Sequence, residues 1–260
     1  MKISVITVSF NSASTIEDTL KSVAAQSYNN IEHIIVDGAS TDLTMEIVKR
    51  EGDHLAKIVS EPDNGIFDAM NRGLALATGD VIGFLNSDDM FAHPDSLAAI
   101  ANGFLDGLVD AVYGDLVLVD PKKVERVVRF WQPGSHVSGA CAKGWMAPHP
   151  TFYVRRNVLV RNGGFDTNYK LQSDFDLMLR LFEKERIKTR YLPEVLVRMR
   201  MGGATTGSIK NIIKGNLEAG RACEKAGFSG GIFFIARKIL RRIPQFFNRP
   251  QRLNNVGQND

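Results

Sequence analysis

Gly79-Asp80-Val81-Ile82-Gly83-Phe84-Leu85-Asn86-Ser87-Asp88-Asp89 is the stretch whose reading decides the fold. Residues 81–85 are apolar without alternation, as a short strand is when helices cover both of its faces. They predict a central parallel strand, and the polar Asn86-Ser87-Asp88-Asp89 then falls at its carboxyl end.

Upstream, a helix over 66–78 is closed by Gly79 and entered through the turn Pro62-Asp63-Asn64-Gly65, itself preceded by a strand at 58–60. Another apolar strand, 31–36, is broken by Asp37-Gly38-Ala39-Ser40-Thr41-Asp42, and a short helix through Ile47 and Val48 follows. Residues 3–10 form the first strand. Ser14 and Glu17 make a capping box that starts a helix over 14–25, with Ile16, Leu20, Val23 and Ala24 on one face. This alternation predicts an α/β chain with an open, mostly parallel, Rossmann-like sheet flanked by helices. Ligands in such sheets collect at the carboxyl ends of the strands, which here carry Asn11, Asp37, Asp63 and Asn86 to Asp89.

Downstream, 111–113, 116–119 and 124–130 read as strands of a mixed sheet, the last two joined by a turn at Asp120-Pro121-Lys122. Residues 134–144 read as a flexible loop. Helices are expected near 155–162 and 174–184, and strands near 189–192 and 195–200. The expected division is 1–105 and 106–210 as two halves of one domain, and 211–260 as a helical basic tail.

A chain of 260 residues, 44% hydrophobic, can bury one large core. Its two cysteines, Cys141 and Cys223, have neither disulfide-framework nor zinc spacing, which fits a reducing, cytoplasmic setting. No export signal follows Met1, and no apolar run reaches the ~20 residues that a membrane span needs. Between 221 and 252 lie Arg221, Lys225, Arg237, Lys238, Arg241, Arg242, Arg249 and Arg252 against Glu224 alone, a net +7 in a chain of net +3. An acidic body with a basic tail argues against nucleic acid as a partner. GxGxxG is missing after the first strand and a Walker A motif is missing throughout, which disfavours a dehydrogenase or another nucleotide-binding enzyme of those kinds.

Adjacent carboxylates at Asp88 and Asp89 repel each other, and a divalent cation, Mg²⁺ or Mn²⁺, relieves that while keeping positions open for diphosphate oxygens. An ordinary turn with a capping Asp is the plainer reading of the same residues. Asp37 is aimed by the tight turn at Gly38, whereas turn chemistry alone accounts for Asp63. Asp68 and Arg72 form a surface pair four residues apart. Asp174 and Asp176 open a helix in different directions and do not share a role; Ser173 or Asp174 could simply cap it. Arg198 and Arg200, ahead of Gly202-Gly203-Ala204-Thr205-Thr206-Gly207, read either as a phosphate clamp on a closing loop or as a solvated edge strand.

Together these motifs resemble family 2 glycosyltransferases of the GT-A fold, in the subgroup that assembles O-antigen, capsule and exopolysaccharide. The matching residues are Ile6-Thr7-Val8-Ser9-Phe10-Asn11, Val36-Asp37-Gly38-Ala39-Ser40-Thr41-Asp42, Ser60 through Asn71, Gly79-Asp80, Leu85 through Asp89, Gly163-Gly164-Phe165-Asp166 and Ser173-Asp174. The resemblance implies a nucleotide-sugar-binding half over 1–105 and an acceptor-binding, catalytic half over 106–210. It implies donor binding by Thr7, Asn11, Asp37, Asp63, Asn71 and Arg198, a Mn²⁺ or Mg²⁺ ion on Asp88 and Asp89, and Asp174 as the catalytic base. Three departures stand out: Asn86 opens the DxD-like motif, Ser173-Asp174 replaces Glu-Asp, and Gln-x-x-Arg-Trp is missing. The last favours inverting transfer of a single sugar, to a glycan or polyprenyl-linked acceptor, over polymerisation. The rival reading is a catalytically silent glycan-binding or scaffold protein of the same fold.

As a helix, the tail puts Ile232, Ala236, Ile239, Leu240 and Ile243 on one side and Arg237, Lys238, Arg241 and Arg242 on the other, with Phe246 and Phe247 extending the apolar end. Such a helix predicts docking of 232–252 on an anionic membrane, placing the protein at the inner face of the plasma membrane; the plainer alternative is that the apolar side packs on the protein's own body and the charges are solvated.

Overall fold

The computed structural model describes residues 1–202, 208–248 and 250, Ile209 by its backbone alone. Strand β1 (Ile3–Ser9) is buried along its whole length because helices cover both of its faces. It pairs in parallel with β2 (Ile31–Asp37) on one side and β4 (Val81–Phe84) on the other, and β3 (Leu55–Ser60) completes the run beyond β2. Helices α1 (Ile16–Ala24), α2 (Thr44–Glu51), α3 (Ile66–Leu76) and α4 (Ser96–Gly103) join and cover these strands. Ile6, Val8, Ile34, Val36, Ile82 and Phe84 face Phe67, Met70 and Leu74 of α3. On the opposite face Ile35 meets Ile16 and Leu20 of α1 and Ile47 and Val48 of α2, while Ile3, Val5 and Val81 meet Leu97 and Ile100 of α4. Each of these large side chains contributes roughly 1.5–3 kcal/mol through burial.

The other half is mixed, as expected. Strands β5 (Asp89–Phe91), β6 (Ala111–Val119), β7 (Val127–Trp131), β8 (Tyr153–Arg155) and β9 (Thr189–Arg200) extend the sheet in the order β3-β2-β1-β4-β8-β6-β9-β5, with β7 on β6. β8 lies antiparallel to both β4 and β6, and β9 lies parallel to β6.

Several local expectations are corrected. What read as two strands at 111–119 is one, and so is 189–200; register shifts around Asp115 absorb the irregularity without ending either strand. The Ser14–Glu17 capping box does not form, because α1 starts after Thr15 and Glu17 is taken by Lys21 and Arg50. Helix α3 stops at Leu76, two residues earlier than its expected end, and Gly79 instead lies so close to β1 that a Cβ there would meet Ser4 N at 2.7 Å. The 134–144 loop is tied down by Glu183, which accepts from Gly139 N at 2.7 Å and Cys141 N at 2.9 Å and lies 3.2 Å from His136 Nε2.

Helices α5 (Arg156–Arg161) and α6 (Ser173–Leu179) stand near their expected places, α6 widening into a π-type turn over Arg180–Glu185. The expected tail is part of the body: α7 (Ile209–Lys225) sends Ala219, Ala222 and Cys223 into the main core, and α8 (Ile232–Leu240) sends Phe234. The orientation of α8 corrects the amphipathic reading. Phe234 and Lys238 face inward, whereas Ile232, Phe233, Ile239, Leu240 and Ile243 are exposed. Arg249, Arg252 and 203–207 of the expected closing loop lie outside the described residues.

Candidate active site

The carboxyl ends of β1, β2 and β3 are clasped by one carboxylate. Asp37, fully buried, accepts from Ser9 Oγ at 2.9 Å, Ser60 Oγ at 2.7 Å, and Ser40 N and Oγ at 2.8 and 2.5 Å. Asn11, at φ 49°, accepts from Thr41 N at 2.9 Å and so joins the loop after β1 to the loop after β2. Ser12 carries the linkage on to Ser87, Oγ to Oγ at 2.8 Å. Asp63 takes Gly65 N in the expected turn, and its other oxygen would be 2.6 Å from a Cβ on Gly38. Phe10 flanks the same glycine with 63% of its surface exposed, so an aromatic ring and a carboxylate frame the crevice mouth at Gly38. Sequence reading missed Phe10, which looks there like the last residue of a buried strand.

Three expected donor contacts are engaged within the fold, Asp37 as above and two more. Thr7 is fully buried inside the sheet, its hydroxyl 3.0 Å from His33 Nε2, and shows no face to a ligand. Asn71 clasps the backbone of Phe165 from both sides at 2.9 Å, which fixes the Gly163-Gly164 turn in its left-handed conformation beneath α3.

The end of β4 is built differently. Asp89 is only 1% exposed, and neither carboxylate oxygen has a hydrogen-bond partner; Asn86 Oδ1 is buried and unpartnered as well. Burial, then the charge of Asp88, raises the Asp89 carboxyl well above its ordinary range, with Arg200 and Asn86 opposing the rise. Asp88 is also raised by burial, against the charge of Arg200. Three unpartnered buried oxygens beside a second carboxylate form a hard donor set, and a divalent cation with oxygen preference fits it.

Arg200 does not act as a free clamp: it donates to the Asp88 carbonyl at 2.8 Å and pairs with Asp18. Arg198 lies opposite Met90 in the β5–β9 pairing, its Nε buried without an acceptor and its charge felt at His93.

Asp174, at the start of α6, does not cap the helix; its Oδ1 accepts only from the adjacent Phe175 N at 2.8 Å, and its second oxygen accepts from no group among the described residues. Asp176 is spent elsewhere, on Arg180 at 2.9 Å, which in turn holds the carbonyls of Asn162 and Gly164. The two carboxylates therefore have separate tasks, as their helical spacing requires. Asp174 is felt by His149, Lys238 and Arg242. His149 was missed by the sequence reading. It stacks 5.6 Å from Phe84 of β4 with both ring nitrogens unpartnered, between the two halves of the sheet. The rigid Pro148-His149-Pro150 context is the signal that could have drawn attention to it.

Comparison with known proteins places this geometry. Residues 4–165 match the family described as glycosyl transferase family 2. A PGL/p-HBAD biosynthesis glycosyltransferase of Mycobacterium bovis is 30% identical over 211 residues, 79% of each chain. An uncharacterized glycosyltransferase of Mycobacterium tuberculosis is 34% identical over 182 residues, 68% of each chain. Staphylococcus aureus TarS, residues 1–349, superposes with a TM-score of 0.66 at 19% identity, covering 94% of this chain and 72% of that one. The mannosyltransferase PcManGT of Pyrobaculum calidifontis, solved with GDP-Man and Mn²⁺, gives 0.66 at 23% identity, covering 93% and 69%. Both solved structures share the GT-A-like fold, a mixed sheet flanked by helices.

Proposed function

We infer, for a chain that belongs to glycosyl transferase family 2 and is a glycosyltransferase, that it transfers one sugar from a nucleotide-sugar donor to a glycan acceptor in a metal-dependent, inverting reaction. The observation that carries this reading is the set of unpartnered buried oxygens of Asn86 and Asp89, beside the Asp88 carboxylate, after β4, together with the half-engaged Asp174 at the start of α6. Asn86, Asp88 and Asp89 would hold Mn²⁺ or Mg²⁺. The ion would supply Lewis-acid stabilisation of the leaving nucleoside diphosphate. Phe10 offers a stacking face for the base, and Asp63 and Asn11 edge the same crevice. Asp37 acts by holding the three strand ends in place. Arg198, with a buried unpartnered Nε, is the donor-phosphate contact on the β9 side.

Asp174 removes the proton from the acceptor hydroxyl as that oxygen bonds to the anomeric carbon and the bond from that carbon to the diphosphate oxygen breaks. A single displacement inverts the anomeric configuration, through an oxocarbenium-like transition state of the kind familiar from sugar hydrolysis. The solved PcManGT complex with GDP-Man and Mn²⁺ supports the donor and metal by analogy, and the relative named for PGL/p-HBAD biosynthesis supports a cell-surface glycan product, for which a lipid-linked acceptor is proposed.

Among the described residues no helix is long and apolar enough to cross a membrane. Docking on an anionic membrane is proposed through the outward row Ile232, Phe233, Ile239, Leu240 and Ile243, with Arg237 and Arg241 exposed beside it. Phe233→Ser combined with Leu240→Ser should abolish sedimentation with phosphatidylglycerol vesicles at unchanged Tm. Equal sedimentation would sink the docking.

The test of the activity is release of nucleoside diphosphate from a panel of nucleotide sugars with Mn²⁺, lost in EDTA, with the anomeric configuration of the product read by NMR. Glycan binding without turnover of any donor would favour a catalytically silent binding protein instead.

A further inference from the structure

Near Asp174 lies a cluster of positive charge that feels this carboxylate at Lys238 and Arg242 but is held by no ion pair among the described residues. Lys238 points inward from α8, its Nζ donating to Gln172 Oε1 at 2.5 Å and lying 4.8 Å over the Phe175 ring, so it touches both neighbours of the Ser173-Asp174 pair. Arg129 of β7 is wedged between the rings of Trp131, at 5.5 Å, and Phe246, at 5.7 Å, with its Nε buried and without an acceptor. Arg241 and Arg242 come from the turn after α8. Among the described residues no carboxylate forms an ion pair with any of these four cations, although other lysines and arginines among them do so, Arg180 with Asp176 and Lys225 with Asp166 for example. All four line one cavity of about 110 Å³, several times the room a single water needs. Gln245 also lines it, with its Oε1 buried and undonated.

Burial, followed by the charge of Arg242, pushes Arg129 down to about 10 and Lys238 down to about 7. Buried like charges facing one another are costly, and phosphate oxygens, which take charge-assisted bonds from guanidinium and ammonium groups at once, are the partners that relieve the cost. The residues lining the cavity include none of those that build the donor crevice, Phe10, Asn11, Asp63, Asn86, Asp88, Asp89 and Arg198. The anion is therefore not the donor diphosphate.

We propose that this cavity is a phosphate-binding site that seats the phosphate or diphosphate group of the acceptor beside Asp174. This rests on the reading of Asp174 as the base. It assigns a chemical class to the acceptor, a sugar or polyprenyl chain carrying a phosphate ester, and gives Arg129, Lys238, Arg241 and Arg242 the task of holding it.

The full-length protein is titrated calorimetrically with inorganic pyrophosphate in EDTA, so that no metal bridges the anion to Asp88 and Asp89. The wild type should bind, Arg129→Gln with Arg242→Gln should bind at least ~10-fold more weakly, and Asp88→Ala should bind as the wild type does. Gln245→Glu covers the case in which the double variant fails to fold. A carboxylate built into the cavity should raise Tm by neutralising the cluster while weakening pyrophosphate binding at least ~10-fold. Unchanged affinity in Gln245→Glu overturns the proposal, and so does an affinity lost in Asp88→Ala but kept in the arginine variant. Monomeric geranyl diphosphate should follow pyrophosphate through the same variants. If sedimentation with phosphatidylglycerol vesicles falls in Gln245→Glu while geranyl diphosphate binding does not, the site seats membrane headgroups and the acceptor assignment fails. None of these readouts needs turnover, so failure of the catalytic reading is seen separately.

Discussion

The ends of β2 and β4 lie in one sheet, and each carries a carboxylate shielded from solvent, yet the two are treated in opposite ways. Asp37 accepts four hydrogen bonds from the ends of the two neighbouring strands and the loop after its own, while neither Asp89 oxygen has a partner. Buried polar groups in folded proteins are almost always satisfied, so the satisfied one is architecture and the orphaned one marks where a partner is missing. The mixed half of the molecule repeats the contrast with the sign reversed. Glu183 is filled by two backbone amides and His136, whereas Arg129 has a buried Nε with no acceptor.

Asp174 stands between these extremes, with one oxygen engaged, and it sets the largest expected effect. Asp174→Asn should lower turnover by ~10²-fold or more and leave donor and Mn²⁺ affinity nearly intact, because a general base acts in the transition state. Near-normal turnover in steady-state kinetics would break the assignment. Next in size is the satisfied side of the comparison. Asp37→Ala strands three serine hydroxyls and one amide and should cost about 2 kcal/mol in urea unfolding. A neutral result there would mean that Asp37 is held for a ligand and not for the fold.

The orphaned side is smaller in magnitude and differs in kind. Asp88→Ala should weaken Mn²⁺-dependent donor binding by ~10-fold or more, and Asp89→Ala should do less. The reverse order in calorimetry would make Asp89 the principal ligand and shift the frame of the motif by one residue. The smallest effect carries the sharpest sign. In EDTA, Asp89→Asn should raise Tm where Asp37→Ala lowers it, since it removes an unpaired buried charge. With the folded carboxyl raised above its unfolded value, the wild type loses stability as pH rises from about 4 toward that raised value. The advantage of Asp89→Asn should therefore be present at pH 7 and shrink as pH falls to about 4. Glu32, held at about 2 by Ser4, Thr78 and Lys2 against its burial, works in the opposite direction and loses its contribution only as pH falls below about 4.5. An Asp89→Asn advantage that grew in acid would refute the orphaned-carboxylate account.

Much of this was legible in the sequence. Four parallel strands, the crevice at their carboxyl ends and the separate roles of Asp174 and Asp176 follow from apolar runs and helical spacing, which are short-range signals. The Asp68–Arg72 surface pair, at 3.0 Å, is of the same local kind. The capping box at Ser14 and Glu17 failed because Arg50, from another helix, competes for Glu17. Phe10 and His149 escaped because exposure beside a crevice and burial between Phe84 and Phe165 are properties of an assembled surface.

What the sequence determined by itself is thus the parallel half of the sheet, the strand ends where a ligand crevice is expected, and the candidate residues there, because strand period, turn chemistry and helix spacing act within a few residues. What only the tertiary structure decided is which polar side chains are already spent. Asn71 is consumed by Phe165, 94 positions away, and Arg200 by the Asp88 carbonyl, 112 positions away. Lys238 turns inward, where Gln172, 66 positions away, accepts its ammonium group, and together with the buried Phe234 it leaves the row Ile232, Phe233, Ile239 and Leu240 in solvent. A helix with two amphipathic faces shows both in its sequence, and the partner across the chain selects the one that is buried.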